Sequence, residues 1–142
     1  MDMDIDIEKC REIFGADRFA ANAGIRIDAA CEDEVVCSME IRDMHLNAGN
    51  AVQGGAIFTL SDFAFGVHSN LHRFFGAGVG LTVGQSCSIS YLRSPKGGKL
   101  IARSTCLHKG RTISVYRVTV EDELGNRISE MHGNGFTTRA QL

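Results

Sequence analysis

Asp62 stands in the stretch HLNAGNAVQGGAIFTLSDFAFGVHSN, residues 45–70, among Ile57, Phe58, Leu60, Phe63 and Phe65. A carboxylate set in an apolar run is costly to desolvate unless it is partnered or used, so a buried Asp62 invites a chemical reading. Gly54 and Gly55 open the same run, preceded by Asn47 and Gln53. A helix starting at the glycines presents unpaired N–H groups and a partial positive charge, and glycine lets a ligand oxygen approach the backbone. These residue types suit acyl chemistry, with Gly54 and Gly55 as an oxyanion hole and Asp62 as base or nucleophile. Taken singly, Asn47 and the glycine pair are as well explained by turn formation, and Asp62 by a structural bond to a neighbour such as Thr59.

Spacing constrains how these groups act together. Gly54 and Asp62 on one helix differ in height by about 12 Å at ~1.5 Å per residue. Catalytic groups act within roughly 3 Å of the reacting atoms, so one chain does not bring both to a single carbonyl. Two long helices running antiparallel across a two-fold axis would place the N-terminus of one near the middle of the other. The expectation is a homodimer with two equivalent sites.

A second group of chemistry-bearing residues lies in the turns LRSPKGG and LHKGRTISV: Arg93, Lys96, Lys99, His108, Lys109 and Arg111. Residue by residue these are ordinary solvated cations, but glycine with Lys or Arg at a site mouth also suits a phosphorylated carrier such as coenzyme A. His68 and His72 have the spacing of a zinc pair, yet HSNLH lacks the H-E-x-x-H glutamate and a clear third ligand, so no metal is expected. GAGVG, residues 76–80, follows a helix and precedes a strand, the reverse of a nucleotide loop, and reads as a helix-ending turn.

The elements that position these residues follow from periodicity. Ile57, Leu60, Ala64, Val67, Leu71 and Phe74 recur every three or four residues, which predicts a long helix, and the apolar residues flanking that stripe suit burial at the core. IDIEKCREIF predicts a short helix ended by Gly15, within an N-terminal helical segment over residues 1–22. GIRIDAACEDEVVCSMEI reads as two strands around a polar turn, and four more β-rich runs cover about residues 79–92, 99–107, 112–120 and 127–138. In TISVYRVTV, Ser114, Tyr116, Val118 and Val120 share one face, and Ile113, Val115, Arg117 and Thr119 the other. The fold class is therefore α+β, a six-stranded antiparallel sheet packed on one long helix.

A length of 142 residues with 44% hydrophobic and 23% charged residues suits one domain over 1–142. A net charge of −2 with scattered cations gives no footprint for nucleic acid or an anionic membrane. Five cysteines, Cys10, Cys31, Cys37, Cys87 and Cys106, are odd in number and never in a C-x-x-C spacing, as in a reducing compartment. The acidic start MDMDIDIEKC lacks a signal-peptide pattern and no segment is long enough to span a membrane, so the expected location is cytoplasmic.

On His45-Leu46-Asn47, Gln53-Gly54-Gly55 and Asp62, the chain resembles the hot-dog-fold acyl-CoA thioesterases, especially the PaaI-type branch of phenylacetate metabolism. Their pattern is H-x-N, then H-G-G, then an Asp eight residues beyond the first of those glycines. SISYLRSPKGGKL and KGRTISVYRVTVEDELGNRIS are similar to the strands that follow. The resemblance implies a hot-dog fold with the sheet wrapped around the long helix and dimers that often pair into tetramers. It also implies hydrolysis of acyl-CoA thioesters without metal or cofactor, coenzyme A entering as part of the substrate. By position, Asp62 is nucleophile or general base, while the Gly54 amide and the facing Asn47 of the other subunit position carbonyl and water. Gly55 and the basic turn residues would meet substrate, and Thr82 or Ser86 would assist Asp62. Gln53 replaces the family's usual histidine; it cannot act as an acid, but its amide can hydrogen-bond the thioester carbonyl or a water. Related thioesterases acting on aromatic acyl-CoA can carry glutamine there, and Phe65 and Tyr91 suit an aryl group near the acyl channel, as well as core packing.

Two other readings compete. A hot-dog dehydratase or hydratase needs a histidine paired with an acid, and the six residues between Asp62 and His68 put them on different helix faces. A non-catalytic acyl-CoA-binding module would use the same pocket, distinguished by tight binding without turnover.

Overall fold

The computed structural model of the protein describes residues 3–139; the ends of the expected 1–142 domain, and the first two residues of its N-terminal helical segment, lie outside them. The N-terminal segment is two helices, α1 (Ile7–Phe14) and α2 (Arg18–Ala23). Asp6 caps α1 by accepting from the Glu8 and Lys9 N–H groups, and Asp17 caps α2 by accepting from Ala20 at 3.0 Å. Gly24 ends α2 at φ 84°, where glycine carries no Cβ penalty.

Two strands follow, β1 (Ile25–Ala30) and β2 (Glu34–Glu40), and then a short 3-10 turn, Asp43–His45. The long helix α3 spans Gly54–Phe75, 22 residues, and the chain closes with β3 (Thr82–Tyr91), β4 (Lys99–Lys109), β5 (Ile113–Asp122) and β6 (Arg127–Thr137). The strands form one antiparallel sheet in the order β1-β2-β4-β5-β6-β3, with α3 packed on one face against β2, β4 and β5 above all. This is the hot-dog architecture the resemblance implied, and GAGVG is the connection that ends α3.

The core lies between α3 and the sheet. Ile57, Leu60, Ala64 and Leu71 of α3 are buried against Met39, Leu100 and Val118 among others. On β5 the alternation holds: Ser114, Tyr116, Val118 and Val120 are buried toward the helix, while Ile113, Val115, Arg117 and Thr119 line the outer face. Phe65 reaches Tyr116 edge-on, with ring centroids 5.5 Å apart. Beneath Phe65 the sheet is made of glycine: a Cβ added at Gly84 or Gly133 would lie 3.4 Å from its ring, and one at Gly135 3.5 Å from it. β3 is an edge strand, paired with β6 alone among the strands and exposed along nearly its whole length after Thr82.

Candidate functional site

Asp62 differs from its expected burial. Its carboxylate is exposed on the single chain, because it projects from the flank of α3 rather than toward the sheet. Among the described residues it accepts no hydrogen bond; the Thr59 hydroxyl, the partner a structural role would call on, donates instead to the Gly55 carbonyl at 2.7 Å. The carboxylate lines a cleft of about 480 Å³ between α3, the α1–α2 segment and the start of β3. Phe14, Phe19, Phe58, Phe63 and Phe65 give that cleft its apolar wall, and Asp17 adds a second acid. Although one edge of Asp62 is open, the surrounding protein strips enough water from it to raise its pKa above the ordinary carboxylate value, and the Asp17 charge raises it further.

Gly54 opens elsewhere. With Val52, Ile57, Tyr91, Leu92, Arg93, Ser94 and Pro95 it lines a separate cleft of about 390 Å³ at the N-terminal end of α3. Gln53 precedes the helix in extended conformation and makes no side-chain cap, so no side chain satisfies the Gly54 and Gly55 N–H groups. The Gln53 Oε1 turns toward Gly55, 3.0 Å from where a Cβ would be. One chain therefore keeps its acid and its helix N-terminus in two clefts, as the rise along α3 requires.

The loop before α3 is self-supporting. Asn47 Oδ1 accepts from Gly49 at 2.9 Å and Ala51 at 3.2 Å, the turn role foreseen for it, while its amide nitrogen remains unpaired and exposed. His45 is buried and ties this loop to α2: its Nδ1 accepts from the Arg42 N–H at 2.9 Å, so its Nε2 donates to the Ala23 carbonyl at 2.8 Å. The histidine of the H-x-N motif is thus a fastener, holding the Asn47 loop and the cleft-lining α2 in one unit.

Thr82 lines the Asp62 cleft, but its hydroxyl is shared with Thr137 at 2.7 Å and its backbone is clamped by the Asn70 amide at 2.8 and 2.9 Å. Ser86 lies further along β3, beyond a bulge, and accepts from Asn134 at 3.1 Å. Neither hydroxyl bonds to Asp62 within one chain. Cys87 does feel that acid: burial and then the Asp62 charge hold its thiol pKa up.

The two basic turns sit at opposite ends of β4 and are not brought together in one chain. Arg93 is beside Gly54, its guanidinium donating to Asn126 Oδ1 at 2.7 Å, and the Lys96 N–H donates to Asp122 at 2.9 Å, leaving the lysine ammonium for other use. His108, Lys109 and Arg111 lie exposed at the far turn. Tyr91, expected near the acyl channel with Phe65, instead lines the Gly54 cleft.

His68 is a satisfied core histidine. Its Nε2 donates to the Glu32 carbonyl at 2.8 Å, its Nδ1 accepts from the Ser104 hydroxyl at 2.9 Å, and burial lowers its pKa. Neither ring nitrogen is available to Asp62, which removes the histidine a dehydratase would need. Among the described residues no three metal-ligating side chains converge, and no helix is long and apolar enough to cross a membrane.

Sequence reasoning missed Asp17, left His45 of the H-x-N motif without a role, and set Tyr91 at the acyl channel rather than against Gly54. Asp17 carried a signal, an N-cap aspartate ahead of a short helix; His45 carried one in its motif. Tyr91 carried none, because its contact with Gly54 spans 37 residues.

Known proteins resemble this chain in sequence and in fold. A protein of Archaeoglobus fulgidus, described only provisionally as an esterase, is 31% identical over 67% of this chain, and the matched stretch spans 58% of that protein's length. The acyl-coenzyme A thioesterase PaaI of Escherichia coli K12 is 26% identical over 89% of this chain and 86% of its own. The solved structure of a hypothetical thioesterase of Streptococcus pneumoniae TIGR4, containing coenzyme A, superposes with a TM-score of 0.79 at 25% identity, covering 93% of this chain and 99% of that one. The family model described as the thioesterase superfamily matches residues 49–129, a stretch that runs from just before Gln53 past both basic turns. The chain belongs to the thioesterase superfamily.

Proposed function

We propose that the protein is an acyl-CoA thioesterase whose two sites each combine Asp62 of one protomer with the α3 N-terminus and Asn47 loop of another. The observation that carries this reading is the separation within one chain: an unpaired Asp62 carboxylate in one cleft, and in another Gly54, which opens α3 with its amide unpaired. Each half lacks what the other supplies. An antiparallel pairing of two α3 helices across a two-fold axis completes both at once, and the exposed β3 edge is a surface on which such a pair can form.

In the completed site the thioester carbonyl accepts from the Gly54 N–H, where the helix dipole favours the charge that develops on oxygen. Asp62 either takes a proton from a water that attacks the carbonyl carbon or attacks it directly; both routes need a carboxylate with no structural partner. The tetrahedral intermediate collapses with loss of the coenzyme A thiolate, which takes up a proton; on the direct route this leaves an anhydride between Asp62 and the acyl group that water then opens, and on either route the net change is thioester plus water to acid plus thiol. The free Asn47 amide and the Gln53 side chain are placed to hold carbonyl or water. The phenylalanine wall supports an apolar, aryl-sized acyl group. Coenzyme A as carrier is supported by the pneumococcal thioesterase that contains it, with Arg93 in the lining of Gly54's cleft, and Lys96 on the same turn, available to its phosphates.

The experiment is thiol release from aryl, short and long acyl-CoAs by wild type, Asp62→Asn and Asp62→Ala. Both variants should lose at least ~100-fold in kcat while remaining folded. Undiminished turnover by folded variants rules the assignment out, and tight acyl-CoA binding without turnover by wild type selects the binding-module reading.

A further inference from the structure

Tyr91 closes β3, and its hydroxyl donates to the Gly54 carbonyl at 3.0 Å. Its ring covers the side of Gly54 where a side chain would project: an added Cβ would lie 3.1 Å from Cζ and 3.3 Å from the hydroxyl oxygen. The residue is 50% exposed, so core packing does not account for the contact, and the phenol could equally bond water. Tyr91 instead fixes the first peptide of α3 from outside the helix.

The chemistry of that peptide gives the contact its meaning. The Gly54 carbonyl and the Gly55 N–H belong to one peptide unit, so a donor on the oxygen draws electron density away from the nitrogen and strengthens the N–H as a donor. The first-turn N–H groups of a helix have no carbonyl one turn back to bond, and neither Gly54 nor Gly55 is given an acceptor by the loop before it. The Gly54 N–H is the oxyanion donor of the proposed reaction; the Gly55 N–H beside it is the one the phenol polarises.

Resting on the thioesterase reading above, we propose that Tyr91 is a positioning residue of the oxyanion hole. Its ring holds Gly54 in place, and its hydroxyl, through the Gly54–Gly55 peptide, makes the Gly55 N–H a second donor to the thioester oxygen. The hole then has two donors, one of them tuned from the end of an edge strand. This also accounts for the glycine at position 54: with the ring seated there, a methyl group would push the helix start or the phenol aside.

The test is Tyr91→Phe, which keeps the ring and removes the donor. With a good acyl-CoA substrate, kcat should fall about five-fold with KM unchanged, as loss of one polarising hydrogen bond predicts. A second readout uses Asp62→Asn as a background that binds substrate without consuming it. Isotope-edited infrared spectra should show the bound thioester C=O stretch displaced to lower frequency, and adding Tyr91→Phe should reverse part of that displacement. A purely structural tyrosine would lower the unfolding temperature or raise KM and leave the carbonyl frequency unmoved; that result overturns the proposal, as does a wild-type kcat in folded Tyr91→Phe. If Asp62→Asn itself turns over normally, the thioesterase reading fails instead, so the two failures are distinct.

Discussion

Asp17 and Asp62, on different helices, line one cleft, and the Asp17 charge opposes ionisation of Asp62. Desolvation is the larger cause of the raised Asp62 pKa, and Asp17 the second. The acid limb of kcat/KM against pH, which reports the free enzyme, should therefore lie above the ordinary aspartate range. Asp17→Asn keeps the N-cap, since asparagine caps as well as aspartate, but removes the charge. Its acid limb should move to lower pH with the unfolding temperature little changed; an unmoved limb would show that the two carboxylates do not interact.

The same raised pKa has a stability consequence with a definite sign. A carboxyl whose folded pKa exceeds its unfolded value binds more protons when folded, so its contribution weakens as pH rises from the ordinary aspartate value, 3.8, through the raised one. Asp62→Asn should be more stable than wild type at neutral pH, with the gain fading as pH falls through the raised pKa and gone below the ordinary aspartate value. Calorimetric melts of both proteins from pH 3 to 8 would show the difference open and close. If Asp62 acts as proposed, its cost in stability is the common compromise of functional sites.

Asp122 behaves in the opposite way. Burial pushes its pKa up, but donors from the Lys96, Leu124 and Asn126 backbones and the Asn126 side chain outweigh this and hold it at about 2. Its contribution is present above the ordinary value of 3.8 and lost as pH falls toward 2. Asp122→Ala should lower the unfolding temperature at pH 7 by roughly 5 °C or more, and the gap should narrow in acid. Because the same carboxylate organises the turn carrying Lys96, the variant should also raise KM for acyl-CoA.

His68→Leu separates structure from chemistry in α3. It leaves the buried Ser104 hydroxyl without its partner and should cost about 1–3 kcal/mol of folding stability. Turnover per folded molecule should stay at the wild-type level, since neither ring nitrogen serves Asp62. A selective loss of kcat in folded His68→Leu would reopen the dehydratase reading.

The fold was legible because its signals are strong and local. The helical recurrence from Ile57 to Phe74 and the alternation from Ile113 to Val120 each encode one element and its buried face, and the polar turns HKGR and EDELGN mark the β4–β5 and β5–β6 hairpins, whereas SPKGG, equally hairpin-like in sequence, joins strands that do not pair, because β3 crosses to the far edge beside β6. The separation of Asp62 from Gly54 within one chain was also legible, since the rise per helical residue holds wherever the helix packs. What α3 buries was less so. A helix apolar around most of its girth does not reveal which flank is left uncovered, so the sequence alone puts Asp62 inside where the single chain leaves it exposed. The pairing of Tyr91 with Gly54, and the use of the Lys96 backbone rather than its ammonium, arise from chain segments that meet only after the sheet has formed.

The glycine floor beneath Phe65 bears on how the cleft can change. Gly84, Gly133 and Gly135 give the sheet side of the pocket no side-chain relief, and at Gly135 even a methyl group would come within 2.6 Å of Thr82 Cγ2. That wall cannot be resculpted by small steps without lifting Phe65 and the helix that carries Asp62. On the facing wall, Ala20 is buried and Phe14 packs on the core, but Phe19 is 73% exposed. If the cleft takes the acyl group as proposed, divergence in that group is channelled into Phe19, a surface position that can change while α3 stays where it is.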